Sequence, residues 1–327
     1  MSAVEQAKAV VWAWLTGEGM GFAGQGPLAP DHLYRGMHPF EDILGADALD
    51  TALHSPMRAA FGPMQRRIDL FLASHDRLDP ARPVWVLASG HLFGSFEAPF
   101  LGIPPTGRLI DLPFASYFRV DRGVIAESIE HLDLLALLDQ AGRTDLVARQ
   151  TAARISPPAP RTHDGIQRDP GDPAEAATTL ALSTAMLADL STDMRSPSDH
   201  LARWWHRDMN WHGPAGIGAC MGYASYQRGH TGPFEARLAF LEVFDEMVVI
   251  AEGAYSAHLW RPCLKMRSLG GFLGLPPAEE PFLMRVTDLY RRDGEKLAEN
   301  WIYIDMPHVL AQHGRDPFAG RSPENAE

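Results

Sequence analysis

The chain has 327 residues, which is long for a single hydrophobic core and sufficient for two domains. Hydrophobic residues make up 46% and charged residues 21% of it, a balance typical of folded globular proteins rather than of disordered ones. Acidic residues (41 Asp and Glu) outnumber basic ones (29 Lys and Arg), and the net charge of −12 disfavours nucleic acid and anionic membrane surfaces as partners.

The sequence carries no clear signal for targeting, membrane insertion or disulfide formation. Met1–Leu15 places Glu5 and Lys8 within an apolar pattern, which indicates an amphipathic helix rather than a signal peptide. The apolar runs fall well short of the ~20 residues that span a bilayer. Cys220 and Cys263 are the only cysteines, and their spacing is not that of a metal site or a disulfide framework. We therefore expect a cytoplasmic protein.

In the first half of the chain, helical patterns precede strand patterns. Helices are predicted at Val4–Leu15 and around Ala46–Leu53. Strands are predicted at Val84–Ala88, Leu109–Val120 and Val124–Leu132, and the turn sequence Asp121-Arg122-Gly123 joins the last two as a hairpin.

The second half has the same order. Helices are predicted at Ala174–Leu190, Ser198–Trp205 and Pro233–Phe244. The predicted strands are Glu246–Ala251, Tyr255–Trp260, Phe282–Arg291 and Lys296–Ile304. Helices followed by a run of antiparallel strands belong to the α+β class.

A direct repeat determines the domain organisation. Phe100–Pro105 (FLGIPP) returns as Phe272–Pro277 (FLGLPP), displaced by 172 residues, and over positions 100–142 this displacement gives 13 identities in 43 positions. Between the repeats, Ile155–Pro173 carries five prolines, which is typical of a semi-rigid linker. We predict two copies of one domain, residues 1–150 and 174–314, joined by a Pro-rich linker (151–173) and followed by a flexible tail (315–327).

The repeated motifs resemble the C-terminal half of the SnoaL-like polyketide cyclase domain. In the first copy they are Gly102–Gly107 (GIPPTG), Tyr117–Asp121 (YFRVD), Ile125–Glu127 (IAE) and Asp133–Leu138 (DLLALL). In the second copy they are Gly274–Pro277 (GLPP), Asp288–Arg291 (DLYR), Leu297–Trp301 (LAENW) and Asp305.

The resemblance implies a fold: a curved, antiparallel-rich sheet wrapped into a cone around N-terminal helices, with a pocket inside, as in nuclear transport factor and ketosteroid isomerase. Domains of this resemblance usually dimerise through the outer face of the sheet, so we expect an intrachain pseudo-dimer, with further homodimerisation left open. The fold hosts isomerases, dehydratases, cyclases and proteins without catalysis, and therefore does not define the reaction.

The resemblance also places a general acid/base aspartate near the end of the last strand, and the motif match assigns this role to Asp133 and Asp305. A carboxylate in an apolar pocket has a raised pKa and can both remove and return a proton. The alternative interpretation is a helix cap, since Asp is a favoured N-cap and a helical pattern follows Asp133.

The side chains that would bind substrate follow from strand alternation and from the resemblance. His131 lies on the predicted face of Asp133, and Trp301 and Tyr303 lie on that of Asp305. His91, His258 and Trp260 lie on or after earlier strands, and His38 and His212 occupy loops placed at the pocket mouth by the resemblance. For each histidine the alternative is a structural role, in a strand contact or a turn.

We expect no metal and no cofactor. The 14 histidines show no paired helical spacing with an acidic partner, and Gly17–Gly26 does not join a strand to a helix as a dinucleotide loop does. The predicted function is a cofactor-independent acid/base enzyme, of the cyclase, isomerase, dehydratase or hydratase type, acting on a small carbonyl-containing molecule. The alternatives are a non-catalytic small-molecule-binding protein and a purely structural duplication.

Overall fold

The computed structural model describes residues 1–17, 19–22, 26–143, 156–192, 194 and 196–319. The first half contains α1 (Ala3–Thr16), β1 (Leu28–Arg35), β2 (Asp42–Leu44), α2 (Ala46–Leu49), a π-helical turn (Asp50–His54), α3 (Ser55–Phe61), β3 (Gln65–His75), β4 (Val84–Ser95), β5 (Leu109–Asp121), β6 (Val124–Leu132) and α4 (Leu134–Gln140).

The second half repeats this order. It contains α5 (Pro173–Thr192), α6 (Ser198–Trp204), β7 (Trp205–His212), β8 (Ala219–Met221), α7 (Gly222–Tyr226), a π-helical turn (Gln227–Thr231), α8 (Gly232–Arg237), β9 (Leu238–Val243), β10 (Val248–Glu252), β11 (Tyr255–Ser268), a 3₁₀ turn (Phe272–Gly274), β12 (Phe282–Asp293), β13 (Lys296–Ile304) and α9 (Met306–Gln312).

The two sheets have matching topology. The strand order is β2-β1-β6-β5-β4-β3 in the first and β10-β11-β12-β13-β7-β8 in the second, with β9 also paired to β11. One pair in each sheet is parallel, β1 with β6 and β7 with β13, and the other pairs are antiparallel. The fold class predicted from the sequence, a tandem duplication of a curved α+β cone, is confirmed.

Each sheet is buried on both faces. The inner face packs on the helices of its own half, whereas the outer faces of the two sheets pack on each other. The outer-face core contains Leu87, Tyr117, Ile129, Leu289 and Trp301 among its members. Hydrogen bonds between the sheets, from Tyr117 Oη to Thr287 Oγ1 (2.5 Å) and from Ser89 Oγ to Tyr303 Oη (3.0 Å), fix their relative position.

The linker and the start of the tail are packed against the sheets. Of the linker, residues 151–155 lie outside the described part, but Pro157 O contacts His91 Nε2 (2.7 Å) and Pro158 O accepts a hydrogen bond from Trp301 Nε1 (2.9 Å). The tail was predicted to be flexible from residue 315, yet Phe318 is 1% exposed. Residues 315–319 therefore belong to the packed structure, because an aromatic side chain anchors them.

Two element predictions need correction. Pro233–Phe244 was predicted to be one helix, but α8 ends at Arg237 and Leu238–Val243 forms an edge strand against β11. The sequence also did not predict β1, β3 or β7, which are strands of mixed polar and apolar character. Local strand propensity predicts such segments poorly, because their conformation depends on packing against a neighbouring strand. No helix in the described ranges is long and apolar enough to cross a membrane.

Candidate functional site

The Asp133 carboxylate is engaged by backbone donors at both oxygens. Oδ1 accepts from Ala136 N (3.0 Å), so Asp133 is the N-cap of α4. Oδ2 accepts from Ala215 N (2.8 Å), which lies in the loop after β7 in the other half of the chain. Both bonds are those of a cap and an inter-half contact rather than of a substrate-binding group.

Asp305 makes the symmetry-related contacts. Oδ1 accepts from His308 N (3.1 Å) and caps α9, while Oδ2 accepts from His38 N (3.0 Å) in the loop after β1. Arg285 adds a charged hydrogen bond to Oδ2 at 3.2 Å. We call the pair Asp133–Ala215 and Asp305–His38 the two latches, because each joins one half of the chain to the other.

Asp133 and Asp305 are both helix N-caps, as the alternative interpretation expects, and their catalytic role stays a prediction. Asp305 is fully buried, and burial raises the pKa of its carboxyl while Arg285 opposes that rise. Neither carboxylate lines the cavities described below. The motif match thus identified two residues that have the same structural role in both copies: each caps a helix and hydrogen-bonds to the other half.

Three further predicted residues lie on the strand face that is turned towards the other sheet rather than towards the inside of the cone. Trp301 and Tyr303 belong to the core between the sheets, and His131 occupies the position equivalent to Tyr303. Burial, followed by the charges of Arg261 and Arg285, lowers the pKa of His131 to about 3. Alternation was assigned correctly, but both faces of the sheet are buried, so hydrophobicity could not distinguish the pocket face from the packing face.

Three predicted histidines also have positions outside a pocket. His38 lies at the junction of the halves, where Nε2 contacts Asp316 Oδ1 at 2.9 Å. His91 contacts Asp111 (2.5 Å) and the linker. His212 is buried and stacked on Trp301 with ring centroids 6.0 Å apart, and burial lowers its pKa to about 4. These three are structural in position.

A large cavity opens inside the second cone. Its volume is about 330 Å³, within the range of ligand pockets, and a smaller cavity of about 80 Å³ adjoins it and shares Asp288, His230 and Tyr226 as lining residues. Trp260, predicted as a substrate-binding residue, lines the larger cavity. Most of the remaining wall is apolar, formed by residues such as Leu187, Phe234, Phe240, Val243, Met284, Val286, Ile302 and Ile304.

Asp288 is the principal ionisable group of this cavity. It lies on β12 and is buried, and desolvation raises the pKa of its carboxyl to about 7, although hydrogen bonds from Asn300 and Tyr290 oppose that rise. Asn300 Nδ2 donates to Oδ1 at 3.0 Å. A carboxyl that titrates near neutrality can act as either proton acceptor or proton donor at physiological pH.

Two neutral polar side chains accompany Asp288. His230 stacks on Trp211 with centroids 4.1 Å apart, and burial lowers its pKa to about 3, so the imidazole is uncharged. Within the described residues its Nδ1 has no hydrogen-bond partner, which is unusual for a buried polar atom. Burial raises the pKa of Tyr226, which therefore keeps its hydroxyl proton.

His258 lies within the second cone and forms a hydrogen-bonded network there. Its Nδ1 contacts Glu246 Oε1 at 2.5 Å and its Nε2 contacts Ser183 Oγ at 2.9 Å. Glu246 lines the cavity, whereas His258 is completely buried behind Trp260. Of the predicted histidines, His258 is thus the one that the structure connects to the cavity.

Among the described residues of the first cone, side chains occupy the space that corresponds to the cavity of the second. At the position of Asp288 it has Ser116, which donates to Glu130 at 2.9 Å, and Tyr34 also donates to Glu130 at 3.1 Å. The guanidinium of Arg66 lies over the rings of Phe22 and Phe114, 4.7 and 4.6 Å from their centroids. The remaining gap between these described residues is about 10 Å³, roughly the room of one water molecule.

Comparison with known protein families gives a match in the first half of the chain. A sequence model described as SnoaL-like polyketide cyclase matches residues 23–141. A comparison with curated protein sequences returns no match.

Solved structures with similar folds each cover one portion of the chain. A SnoaL-like protein from Jannaschia is 21% identical, covering 42% of this chain and 93% of its own, with a TM-score of 0.33. An NTF2-like protein from Burkholderia xenovorans is 13% identical (42% and 96% covered, TM-score 0.34), and TsrD from Streptomyces laurentii is 21% identical (43% and 98% covered, TM-score 0.33).

The sequence analysis did not identify Asp288 as a candidate, although it begins one of the quoted motifs of the second copy. The available signal was a difference between the copies. Scaffold positions such as Gln140 and Gln312 are identical, whereas Ser116 in the first copy becomes Asp288 in the second. No group of three or more His, Cys, Asp or Glu side chains in the described part of the chain is arranged to hold a metal ion.

The buried Asp288 predicts a pH-dependent stability difference. Its pKa is about 7 in the folded protein and 3.8 as its reference value, so between these pH values the folded state binds more protons than the unfolded state. The stability of the wild type should therefore fall, relative to that of Asp288→Asn, by roughly 3–4 kcal/mol as pH rises from 4 to 7. Thermal melts of both proteins across this range test it, and a constant difference in Tm would contradict the raised pKa.

Proposed function

We propose that the second SnoaL-like cone is a cofactor-independent acid/base catalyst for a small, mainly apolar, carbonyl-containing molecule, and that Asp288 transfers the proton. The observation that carries this proposal is a carboxyl of pKa about 7 in a largely apolar cavity of about 330 Å³. The family match lies in the first half, and it supports a cyclase-type reaction in the second cone only through the internal repeat and the shared topology; the first cone then serves as the structural partner of the second.

The chemistry follows from the lining residues. An ionised Asp288 removes a proton from the carbon beside the substrate carbonyl, and the neutral imidazole of His230 and the hydroxyl of Tyr226 can donate hydrogen bonds to the oxygen on which charge develops. Protonated Asp288 then returns the proton, either to another carbon or to the alkoxide formed by ring closure. Asn300 and Tyr290 orient the carboxylate throughout.

A general base can be tested before the natural substrate is identified. 5-Nitrobenzisoxazole is a small neutral aromatic molecule: a base removes its C–H proton, the N–O bond breaks, and a coloured nitrophenolate forms. We expect saturable turnover by the wild type, at a rate constant exceeding that of acetate on the order of 10²–10⁴-fold. The rate should rise with pH through an apparent pKa near 7, because the carboxylate must be ionised to act as base.

The outcome separates the proposal from its alternative. If the probe binds the second cone but turns over no faster than with acetate, the cavity is that of a non-catalytic small-molecule-binding protein. If the rate shows no dependence on pH between 5 and 9, a group other than Asp288 is the base.

A further inference from the structure

The cavity of the second cone has a second carboxylate, connected to a buried histidine. Glu246 lies in the segment between β9 and β10 and lines the cavity, with its side chain 22% exposed. Its Oε1 is 2.5 Å from His258 Nδ1, and both His258 and Ser183 are completely buried.

The hydrogen bonds around Ser183 allow two arrangements of protons. Its hydroxyl has two candidate acceptors, Leu180 O (3.1 Å) and His258 Nε2 (2.9 Å), while it accepts from Ser256 Oγ (3.0 Å). If Ser183 donates to His258, the imidazole is neutral with its proton on Nδ1, and Glu246 accepts that proton as an anion. If Ser183 donates to Leu180, His258 carries a proton on Nε2, and Nδ1 and Glu246 share another.

The network is not that of a serine nucleophile, although Ser183, His258 and Glu246 follow the order of a catalytic triad. Ser183 lies on α5, is fully buried and is not a lining residue of either cavity, so a substrate cannot reach its hydroxyl. The end of the network that reaches the cavity is Glu246.

Glu246 and Asp288 act on the same space. Both are lining residues of the larger cavity, and burial, followed by the charges of Asp288 and Glu246, raises the pKa of Cys263, which lies on β11 in the same wall. His258 also meets the ring of Tyr290 edge-on at 5.7 Å, and Tyr290 hydrogen-bonds to Asp288. Two carboxylates in different environments can divide the roles of acid and base.

We propose that Glu246 is a second catalytic carboxylate of this cavity and that His258 and Ser183 are positioning residues that orient its carboxylate through their hydrogen bonds. This rests on the proposed function of the second cone. When Asp288 holds a proton, Glu246 takes the proton from the substrate carbon and Asp288 can give its own to the developing oxygen anion. The titratable group in contact with Glu246 is His258, Asp245 lies beside it in the chain, and the other titratable groups that line the same cavity are Asp288, Cys263, His230 and Tyr226.

The test removes Asp288 first, so that any other base becomes visible. With 5-nitrobenzisoxazole at pH 5.5, Asp288→Asn should keep a residual rate at least tenfold above the protein-free reaction. Adding Glu246→Gln should lower this residual rate about tenfold, to background. Adding Glu242→Gln instead, at an exposed acid of the neighbouring β9, is the matched control and should leave it unchanged.

The role of the positioning residues has a separate measurement. In the Asp288→Asn background, His258→Asn should lower the kcat of the residual reaction about tenfold while KM changes less than twofold, because Glu246 loses the imidazole hydrogen bond that orients its carboxylate. Ser183→Ala should lower kcat in the same way but by less. An unchanged kcat, or equal changes in kcat and KM together with a lower melting temperature, would show that His258 only supports the fold.

The two proposals fail differently. Absence of a residual rate in Asp288→Asn, or its persistence in Asp288→Asn/Glu246→Gln, overturns the role of Glu246 and leaves that of Asp288 intact. An Asp288→Asn protein that retains the full wild-type rate at pH 8.5 overturns the proposed function itself.

Discussion

Replacing Asp288 by Asn is expected to lower the rate of 5-nitrobenzisoxazole turnover at pH 8.5 by roughly 10²–10³-fold while the fold is retained. Asn has nearly the same shape as Asp and still hydrogen-bonds to Asn300, but it cannot accept a proton from carbon. The loss should be largest above pH 7, where the wild-type carboxyl is ionised.

The control for this substitution lies in the other cone. Glu130 is the buried carboxylate of the first cone, and Ser116 and Tyr34 both donate hydrogen bonds to it. Glu130→Gln removes a buried carboxylate in the same way, but the gap beside Glu130 is too small for the probe. Its rate should equal that of the wild type; an equal loss in both variants would mean that catalysis does not reside in the second cone.

The second large effect concerns stability. Asp305→Ala removes the cap of α9, one latch and one of the two carboxylate partners of a partly buried Arg285, which keeps Glu41, and it leaves the amides of His38 and His308 without an acceptor. We expect a loss of about 3–5 kcal/mol. Thermal and urea unfolding measure it.

The matched substitution is Asp133→Ala in the other latch. The residue equivalent to Arg285 there is Pro113, so the arginine hydrogen bond made to Asp305 has no counterpart at that position, and the expected cost is smaller, about 2–3 kcal/mol. Under native conditions both variants should turn over the probe within about twofold of the wild type. Lost turnover with unchanged unfolding would instead restore Asp305 as the catalytic residue.

The fold could be predicted from the sequence because its evidence was redundant. The repeat from Phe100 to Gly142 onto Phe272 to Gly314 required two similar domains, and hydrophobic alternation located the central strands. The edge elements were less accessible: β9 was read as helix because its six residues follow α8 without a turn signal, and its conformation depends on pairing with β11.

The candidate site could not be predicted from the sequence, because the residues that both copies share have structural roles. Gln140 and Gln312 each hydrogen-bond to a neighbouring strand through their side-chain amides, and Asp133 and Asp305 each cap a helix. Identity between copies therefore pointed away from the cavity. The cavity depends on the positions that diverged, above all Ser116 against Asp288.

Choosing a face of the last strand was the second obstacle. In a sheet with one solvent-exposed face, the apolar face identifies the interior. Here Trp301 packs between the sheets and Ile302 lines the cavity, so both faces are apolar. Which face points into the cone becomes clear only from the position of the other sheet, and no local sequence pattern gives that position.

The most direct test of the account is the ionisation of Asp288 in the intact chain. Carboxyl ¹³C NMR of protein labelled at aspartate, compared with Asp288→Asn to assign the resonance, reports the protonation of this one group. We predict a resonance that titrates with a midpoint near pH 7 and is missing from the variant. A midpoint near the ordinary aspartate value of about 4 would contradict the proposed site, because such a group would be a weak base with no proton to return at neutral pH.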